Sequence, residues 1–421
     1  MALNGSKEGI IAALDVGSSK VVCLIAERDS NGEITIKGVG NRACLGVSAG
    51  QVTDMALTEA AIRQAVDQAE KMAGVTIESV TVGLEGGDPK SEVIDVEVDV
   101  DGHAVCEEDI RSVRELARAQ INPGEDRQIM HAFPAAYAID GNYGVKAPIG
   151  MYGKKLSVAM LVITALEGPV KNLEMCVRRA DMGVERIVVG AYASGLATLV
   201  EDEMMMGATC IDIGGGTTSI STFIQGELVH AEVLPIGGKQ ITEEIARELL
   251  TPVDEAERLK NAQGAAVMDG ADERTELDIM QVGEGTDSEA FRRMPRSALT
   301  GLMQREFEIL LSSVREKLDE SGFSGAAGQR VVLTGGLAQS EGIADLASRV
   351  LDKKVRIGRP KSYSGTPLSA QNAVFSTGTG LLMYSAKTPI DTGKQKKRRK
   401  DQGAAPTGTL ERMFGWMRGN F

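Results

Sequence analysis

The chain has few aromatic residues and very little histidine: its 421 residues include eight Phe, six Tyr, one Trp and three His. An odd number of separated cysteines without a CxxC pair argues against a disulfide framework or a zinc site, and is typical of a reducing compartment. The histidines are equally scattered. The sequence therefore predicts a cytosolic protein without a metal cluster. The cysteines are Cys23, Cys44, Cys106, Cys176 and Cys210.

Long apolar runs are also missing. The longest, residues 156–166, falls short of the roughly 18 residues that a membrane span needs, and residues 1–15 do not have the pattern of a secretory signal. Charge is unevenly distributed, because residues 387–421 carry nine basic and three acidic side chains while the other 386 residues carry a net charge of −19. An acidic body disfavours nucleic acid, so no nucleic-acid partner is expected.

What the sequence does contain is a repeated pattern of strand, turn and strand. An apolar run at 10–14 is closed by Asp15-Val-Gly-Ser-Ser19, and a second at 208–211 by Asp212-Ile-Gly-Gly-Gly-Thr-Thr218. Each turn is followed by another strand-like stretch. One such turn alone is common hairpin chemistry, but two copies indicate a duplicated core of two similar domains.

The composition of these turns suits a nucleoside triphosphate. Gly, Ser and Thr let backbone N–H groups approach phosphates, and Asp15 and Asp212 are carboxylates that could hold the water shell of a magnesium ion. Lys20 adds a positive charge for the β-phosphate. A third turn, at Gly335 and Gly336 after the apolar run 331–334, leaves room for the nucleoside. No GxxxxGKS/T sequence and no GxGxxG after the first strand is present, so neither a P-loop nor a Rossmann dinucleotide site is expected.

In this order and spacing, the three turns resemble the phosphate-one, phosphate-two and adenosine motifs of the superfamily of actin, DnaK-type chaperones and sugar kinases. One region narrows the resemblance. It includes Pro123-Gly-Glu-Asp-Arg-Gln-Ile-Met-His131, Pro134-Ala-Ala-Tyr137 and Pro148-Ile-Gly-Met151. These stretches are similar to subdomain 1C of the FtsA family of bacterial cell-division proteins, and the resemblance extends over nearly the whole chain.

The resemblance implies an α/β fold of the actin-like, duplicated ribonuclease H-like type, with two domains, an inserted 1C subdomain and a C-terminal amphipathic helix. The implied boundaries are 1–83 and 164–200 with part of 366–386 for domain IA, 84–163 for 1C, 201–240 and 319–365 for domain IIA, 241–318 for subdomain IIB, 387–407 for a basic linker, and 408–421 for the amphipathic helix.

It also implies a site for ATP and Mg2+, with Asp15 and Asp212 holding the metal through water. Glu257 and Lys260 match the ribose and adenine contacts, although an exposed ion pair three residues apart on a helix explains them equally well. The residues expected to bind the cofactor are Asp15, Gly17, Ser18, Ser19, Lys20, Asp212, Gly214, Gly215, Gly216, Thr217, Thr218, Gly237, Gly238, Glu257, Lys260, Gly335, Gly336 and Leu337.

One departure bears on hydrolysis. Chaperones and bacterial actins of the MreB kind carry a glutamate that helps to orient the attacking water, and Gly190 stands at the matching position of this chain. Because glycine has no group that could position water, the expectation is tight ATP binding with weak or absent hydrolysis.

Residues 408–421 have the pattern of an amphipathic helix in the plane of a membrane. The apolar residues fall largely on one stripe, the single tryptophan lies beside it, and the basic run 394–400 precedes them. An ordinary helix docked on the body or on a partner protein is the alternative. The residues expected to contact lipid are Leu410, Met413, Phe414, Trp416, Met417 and Phe421.

The resemblance implies a protein that polymerises at the cytoplasmic face of the inner membrane at the division septum. There it would tether the tubulin-like protein FtsZ by its C-terminal tail and recruit later division proteins, with anionic lipid and a second copy of the chain as further partners. Arg292, Arg293, Arg296 and Arg305 are candidates for the contact with the acidic and apolar FtsZ tail. The alternatives are a superfamily ATPase, a small-molecule kinase, for which the sequence offers no catalytic carboxylate, and a pilus-assembly-type actin-like protein.

Overall fold

The computed structural model describes residues 9–283, 291–325 and 327–387. In chain order its strands are β1 Ile10–Val16, β2 Lys20–Arg28, β3 Ile34–Ala43, β4 Val47–Ser48, β5 Gln51–Val52, β6 Ser79–Leu84, β7 Lys90–Asp99, β8 Arg127–Ile139, β9 Asn142–Val145, β10 Lys155–Leu166, β11 Gly183–Val189, β12 Ala208–Ile213, β13 Thr218–Ile224, β14 Glu227–Leu234, β15 Glu276–Met280, β16 Phe291–Pro295, β17 Arg330–Thr334 and β18 Lys354–Ile357. The helices are α1 Met55–Ala73, α2 Glu107–Gln120, α3 Glu167–Arg179, α4 Gly190–Thr198, α5 Glu201–Met206, α6 Gly238–Leu249, α7 Val253–Gln263, α8 Arg296–Glu320, α9 Ile343–Leu351 and α10 Ser376–Lys387, and short 3-10 turns occur at Leu337–Gln339, Leu368–Ala370 and Ala373–Phe375.

Two sheets of five strands share one topology. The first runs β11-β6-β1-β2-β3 and the second β14-β13-β12-β17-β18. In each, three consecutive strands form an antiparallel meander, and two later strands add in parallel beside the first strand of that meander. The duplication predicted from the two Asp-containing turns is therefore present as a repeated sheet.

This topology brings the ends of several strands together. In the first sheet β1, β6 and β11 run parallel, with Asp15 opposite Gly83 and Leu84 opposite Val189. In the second sheet β12 and β17 run parallel, with Asp212 opposite Thr334. Since parallel strands end at one edge of a sheet, the residues that follow them meet there, which is where ligands bind in open α/β sheets.

Helices cover the sheets, and capping residues mark the start and end of the helix α1. Helix α1 begins where the Asp54 carboxylate accepts a hydrogen bond from Leu57 N, and it ends at Gly74 in the left-handed conformation. Its buried residues, among them Ile62 and Ala65, pack into the apolar core of the first sheet. Helix α10 packs against α4 and β1, so the last described helix lies directly on the first sheet.

A four-stranded antiparallel sheet in the order β7-β10-β8-β9 forms a separate layer covered by α2. Its core includes Val113 of the helix and Leu156 and Val158 of β10. The alternating stretch 91–100 falls largely in β7, and the apolar run 156–166 lies in β10. Residues 123–131 were interpreted only as a motif, and their second half is the start of β8.

A mainly helical unit follows the second meander and contains α6, α7, α8 and the hairpin β15-β16. The stretch 219–228 alternates in the manner of a single strand. It is two strands, β13 and β14, because Gln225 and Gly226 both adopt positive φ and reverse the chain in a tight turn. Within the ranges that the structure describes, no helix combines the length and the apolarity that a membrane crossing requires.

Candidate nucleotide site

A cavity of about 600 Å³ lies where the ends of the two five-stranded sheets face each other. The Asp15 turn, the Asp212 turn and the Gly335 turn all contribute to its wall. Of the expected site residues, those that line it are Asp15, Gly17, Ser18, Ser19, Lys20, Asp212, Gly214, Gly215, Thr217, Gly238, Glu257, Lys260, Gly335, Gly336 and Leu337.

The first two turns have the same backbone geometry. Gly17 N donates to Lys20 O over 2.9 Å, and Gly214 N donates to Thr217 O over 2.8 Å. The turns also touch, since a Cβ on Gly215 would stand 1.9 Å from Ser19 Oγ. Backbone N–H groups and hydroxyls from both sheets therefore converge on one small volume, as an anion-binding site requires.

The electrostatics of this volume favour a divalent cation. Burial raises the pKa of Asp15 to about 6, an effect that Lys20 opposes and Asp212 reinforces. Burial also raises the pKa of Asp212 to about 6, against hydrogen bonds from Thr377 and the charge of Lys20. Two carboxylates that are costly to ionise in this setting gain from a cation between them, and hard oxygen ligands suit Mg2+. The residues present fit a magnesium-bound polyphosphate.

Lys20 is held in place by groups from a distant part of the chain. Its Nζ donates to Val374 O over 2.8 Å and lies 5.5 Å from the centre of the Phe375 ring. Burial lowers the pKa of Lys20, while Asp15 and Asp212 act in the opposite direction. A fixed ammonium group beside the two carboxylates can serve a phosphate oxygen without further ordering.

The third turn is shaped by Gly335. This residue has a φ of +90°, and a Cβ on it would stand 2.3 Å from Asp212 Oδ1. Only glycine combines that backbone conformation with so close an approach. The Gly335 turn and Asp212 are thus parts of one arrangement at the edge of the second sheet.

Glu257 and Lys260 do form an ion pair three residues apart on α7, but its Lys260 end is buried, whereas the Glu257 side chain is 46% exposed. Lys260 is 7% exposed, and its Nζ donates to Gly238 O at 3.1 Å, Thr242 Oγ1 at 2.7 Å and Glu257 Oε2 at 2.5 Å. Burial acts to raise the pKa of Glu257, but the hydrogen bonds from Lys260 and Thr242 outweigh it and the pKa is lowered. Both side chains line the cavity next to Gly238.

Three of the residues expected to bind the cofactor do not line the cavity. Thr218 donates from Oγ1 to Ile236 O over 2.9 Å. Gly216 leaves room for Ser18, whose Oγ would lie 2.4 Å from a Cβ there, and Gly237 leaves room for Gly214 O at 2.7 Å. These residues shape the turns without reaching the cavity.

Several residues of the wall were missed by the sequence analysis. Glu85 follows β6, and burial followed by the charges of Asp15 and Asp212 raises its pKa well above the usual range. It supplies a carboxylate in the cavity, which the sequence analysis had not found. Its position at the cavity follows from the pairing of β6 with β1, and no local sequence pattern indicates that pairing. The other missed residues are Asn261, Ala262, Gly264, Arg296, Gln339, Ser340, Glu341, Val374 and Thr377.

The four candidate arginines do not share one surface. Arg292 and Arg293 on β16 and Arg305 on α8 are exposed. Arg296 lines the cavity, where it donates to Asp272 Oδ1 at 2.9 Å, to Glu341 Oε2 at 3.0 Å and to Gln263 O at 2.7 Å. Its bonds within the protein separate it from the other three.

The scattered cysteines and histidines were expected to form no metal cluster, yet one group of metal-ligand types does assemble. His103, Cys106 and Asp109 at the start of α2 place their ligand atoms within 4.8 Å of one another. Asp109 also accepts from the Cys106 backbone N–H, so its carboxylate already serves as the cap of the helix.

The predicted linker 387–407 falls almost wholly outside the described residues. The residues expected to contact lipid lie wholly outside them: Leu410, Met413, Phe414, Trp416, Met417 and Phe421.

Comparison with known proteins gives matches over the whole chain. A family described as cell division protein FtsA matches residues 209–380, and one described as the SHS2 domain inserted in FtsA matches residues 86–164. Cell division protein FtsA of Agrobacterium fabrum (strain C58) is 37% identical over 429 residues, covering 100% of this chain and 96% of its own. That of Escherichia coli (strain K12) is 30% identical over 419 residues, covering 98% of each.

Solved structures with a similar fold are more distant in sequence. A chain of the PilM–PilN type IV pilus biogenesis complex superposes with a TM-score of 0.62 at 17% identity, covering 90% of this chain and 99% of its own. MreB5 of Spiroplasma citri bound to ADP superposes with a TM-score of 0.51 at 13% identity, covering 90% of this chain and 96% of its own. The fold is therefore the actin-like two-domain α/β fold.

Proposed function

The chain belongs to the FtsA family of bacterial cell-division proteins, and from this premise we propose that it is an ATP-binding actin-like protein that polymerises on the cytoplasmic membrane. At the septum it anchors the FtsZ ring by the FtsZ C-terminal tail and helps to recruit later division proteins. The observation that carries the proposal is the pair of matching turns, at Asp15 and Asp212, that converge from two sheets on one cavity.

Nucleotide binding follows from that pair. A polyphosphate held by turns of two different sheets holds the sheets together, so ATP acts as a structural ligand that closes the cleft. Magnesium supplies the charge that offsets the phosphates, and Asp15 and Asp212 would hold its water shell. The ADP in the structure of MreB5 supports an adenine nucleotide as the occupant. Hydrolysis is proposed to be weak.

We propose the domain boundaries given by the sequence, with the 84–163 insertion as 1C and 241–318 as subdomain IIB. The FtsZ tail would dock on IIB. Arg292, Arg293 and Arg305 are the arginines whose exposure supports contact with an acidic segment. Arg296 is not favoured for this role, because its donors already serve Asp272, Glu341 and Gln263.

Membrane attachment is proposed through the amphipathic segment 408–421 and the basic run 394–400. Partial burial of its apolar side chains gives on the order of 5–10 kcal/mol, and ordering a dozen residues costs a comparable amount. A single tail therefore binds weakly and reversibly. Many tails along one filament bind strongly by avidity, which favours a polymer on anionic lipid.

Sedimentation with anionic phosphatidylglycerol vesicles tests the proposal, with and without ATP and Mg2+. The full chain is compared with a chain that ends at Pro406, and the pellets are viewed by negative-stain electron microscopy. Met413→Glu with Met417→Glu disrupts the apolar stripe, and Glu411→Gln is the matched change outside it. The expected result is that the full chain and Glu411→Gln pellet and coat vesicles with filaments, while the other two stay in the supernatant.

If all four chains stay in the supernatant, segment 408–421 is a protein-docking helix and the proposal of a membrane polymer is wrong. Vesicle binding without filaments, at saturating ATP and Mg2+, would retain the membrane site and reject polymerisation. FtsZ recruitment is then tested by adding FtsZ with and without its C-terminal tail to the coated vesicles. Recruitment that does not depend on that tail would contradict the proposed tether.

A further inference from the structure

Glu85 is a carboxylate at the cleft to which the repeated motifs assign no role. It follows the last residue of β6 and lines the cavity together with Asp15 and Asp212. Its Oε2 accepts a hydrogen bond from Ser219 Oγ at 3.5 Å, across the boundary between the two sheets. Its Oε1 is buried and has no hydrogen-bond partner among the described residues.

Such an oxygen is costly to keep. A buried polar atom without a partner loses the hydrogen bonds that it would make in water. Among the described residues, the carboxylates of Asp15 and Asp212 act on the Glu85 carboxyl, and no cationic side chain bonds to its Oε1. The Glu85 side chain lines the cavity, so rotation of its carboxyl group toward the cavity would let this oxygen accept a hydrogen bond from a ligand or a water bound there.

The Glu85 carboxyl fills the space that a side chain at position 190 would occupy. A Cβ on Gly190, the first residue of α4, would stand 1.8 Å from Glu85 Oε1 and 2.4 Å from Glu85 Cδ. Glu85 and Gly190 follow the ends of two paired parallel strands, β6 and β11, in which Leu84 lies opposite Val189. Any side chain at 190 would displace the Glu85 carboxyl.

Gly190 therefore does not leave this part of the cleft without a functional group. The sequence analysis interpreted the glycine as the loss of a water-positioning group. In the structure a carboxylate from the adjacent strand stands at that place, beside the first turn of α4, where the helix dipole favours negative charge.

We propose that Glu85 is the water-orienting carboxylate of the cleft, acting from β6 at the place that Gly190 leaves open. The inference rests on the proposed ATP site. With its carboxyl group turned toward the cavity, Glu85 accepts a hydrogen bond from the attacking water and directs the water oxygen at the γ-phosphorus. The new bond joins that oxygen to the γ-phosphorus, the bond to the β–γ bridging oxygen breaks, and ADP leaves with the bonding electron pair. The two water hydrogens go to the released phosphate and, as a proton, to solvent.

Glu85→Gln is the first variant, because it keeps the size of the side chain and replaces one carboxyl oxygen by an amide nitrogen. Single-turnover hydrolysis at saturating ATP and Mg2+ is measured together with the affinity for a fluorescent ATP analogue. We expect the hydrolysis rate constant to fall at least tenfold, in line with the usual contribution of such groups, and the ATP affinity to change less than threefold. Glu78→Gln, an exposed carboxylate just before the other end of β6, is the matched control and should hydrolyse at the wild-type rate.

Thermal stability without nucleotide separates this role from a structural one. Replacing an unpartnered buried carboxylate by an amide should raise the melting temperature of the nucleotide-free protein, whereas loss of a stabilising contact would lower it. A lower melting temperature together with unchanged hydrolysis would overturn the proposal.

Gly190→Ala tests the shared space from the other side. Its Cβ must displace the Glu85 carboxyl, so the variant should lose stability and hydrolyse as slowly as Glu85→Gln. Adding Glu85→Gly removes the collision. The double variant should regain the stability and remain slow, and wild-type hydrolysis by the double variant would overturn the role of Glu85.

Two further results are decisive. A lower Mg2+ affinity of Glu85→Gln with normal hydrolysis at saturating Mg2+ would make Glu85 a metal-site residue and reject the water-orienting role. A wild-type chain that binds ATP but turns over no faster than Asp212→Ala would reject it as well, and the ATP site would stand. If the wild-type chain does not bind ATP, the proposed function itself fails.

Discussion

Thr377 Oγ1 donates a hydrogen bond to Asp212 Oδ2 over 3.1 Å, joining two residues that are 165 positions apart. Thr377 is the second residue of α10, the helix that ends at Lys387, where the predicted basic linker 387–407 begins. Its neighbour Ser376 is hydrogen bonded to Thr334 at 2.6 Å. Hydrogen bonds at the start of this helix therefore attach it to the edge of the second sheet that is proposed to bind phosphate.

The first prediction concerns this hydrogen bond. Thr377→Val removes the hydroxyl at nearly constant volume and should weaken Mg2+–ATP binding about fivefold, because a bond that orients the Asp212 carboxylate is worth about 1 kcal/mol. Titration with a fluorescent ATP analogue at fixed Mg2+ measures it. Thr377→Ser, which keeps the donor, should bind as the wild type does.

Ser385→Ala is the matched control on the same helix, since Ser385 bonds to Thr81 at a point outside the cavity wall. Equal losses for Thr377→Val and Ser385→Ala would mean that α10 as a whole, and not the Asp212 contact, supports the nucleotide.

The second prediction concerns Lys260. Lys260→Met keeps the apolar stem but removes the buried ammonium that donates to Gly238 O, Thr242 Oγ1 and Glu257 Oε2, and should lower the free energy of unfolding by about 2 kcal/mol. Arg258→Met removes an exposed ion pair with Glu255 from the same helix and should cost about 0.5 kcal/mol or less. Urea unfolding of the nucleotide-free protein compares them. Similar losses would show that the Lys260 cluster carries no more than a surface pair.

The third prediction concerns Arg296 and Asp272. The Asp272 carboxyl is 1% exposed and its ion pair with Arg296 spans 2.9 Å, so Arg296→Met leaves a buried carboxylate unpaired and should cost about 3 kcal/mol of stability. Adding Asp272→Asn should recover more than half of that loss. Arg293→Ala, at an exposed pair with Asp278, should change stability by about 0.5 kcal/mol or less.

A double-mutant cycle in urea unfolding gives the coupling between Arg296 and Asp272. Additive losses would contradict the pairing seen in the structure. The same variants are also tested for binding of an acidic peptide. This measurement distinguishes an arginine that stabilises the fold from one that contacts an acidic partner. Arg296→Met should leave binding unchanged wherever the protein remains folded.

The three turns could be predicted from the sequence because their chemistry is local. Asp15 and Asp212 each end an apolar strand and stand beside small residues, and a glycine pair marks the third turn. The position of Glu85 in the cavity wall could not be predicted, since it depends on β6 lying in parallel beside β1 and β11. That pairing joins residues about 70 and 100 positions apart, and nothing near Glu85 in the sequence announces it.

The same reasoning explains other differences. Arg296 was grouped with Arg292 and Arg293 because they are neighbours in sequence, yet a strand ends between them and a helix begins. His103, Cys106 and Asp109 are spaced three apart, a local signal that was present but was lost when the cysteines and histidines were considered separately. The position of Glu85 depends on tertiary strand pairing and cannot be seen in the local sequence. The spacing of His103, Cys106 and Asp109 can be seen there, but the sequence analysis did not use it.

The last prediction concerns stability in acid and depends on His131. Its ring is buried among Phe133, Tyr192 and Tyr384, and its Nε2 accepts a hydrogen bond from Val189 N over 3.1 Å. Burial lowers the pKa of His131 from 6.5 to about 4. Between these values the unfolded chain binds the proton and the folded chain does not, so His131 costs no stability above pH 6.5 and an increasing amount as the pH falls towards 4, reaching about 3 kcal/mol.

His131→Gln keeps an acceptor for Val189 N and removes the titration. Urea unfolding between pH 4 and pH 7.5 should therefore show the wild type losing about 3 kcal/mol more than the variant over this range, whatever the two proteins share from their other acidic groups. His103→Gln, at an exposed histidine, is the matched change and should lose nearly as much as the wild type. If the His131→Gln and wild-type curves run parallel down to pH 4, the buried ring takes up its proton without unfolding, and the packing against Tyr192 and Tyr384 tolerates a charge.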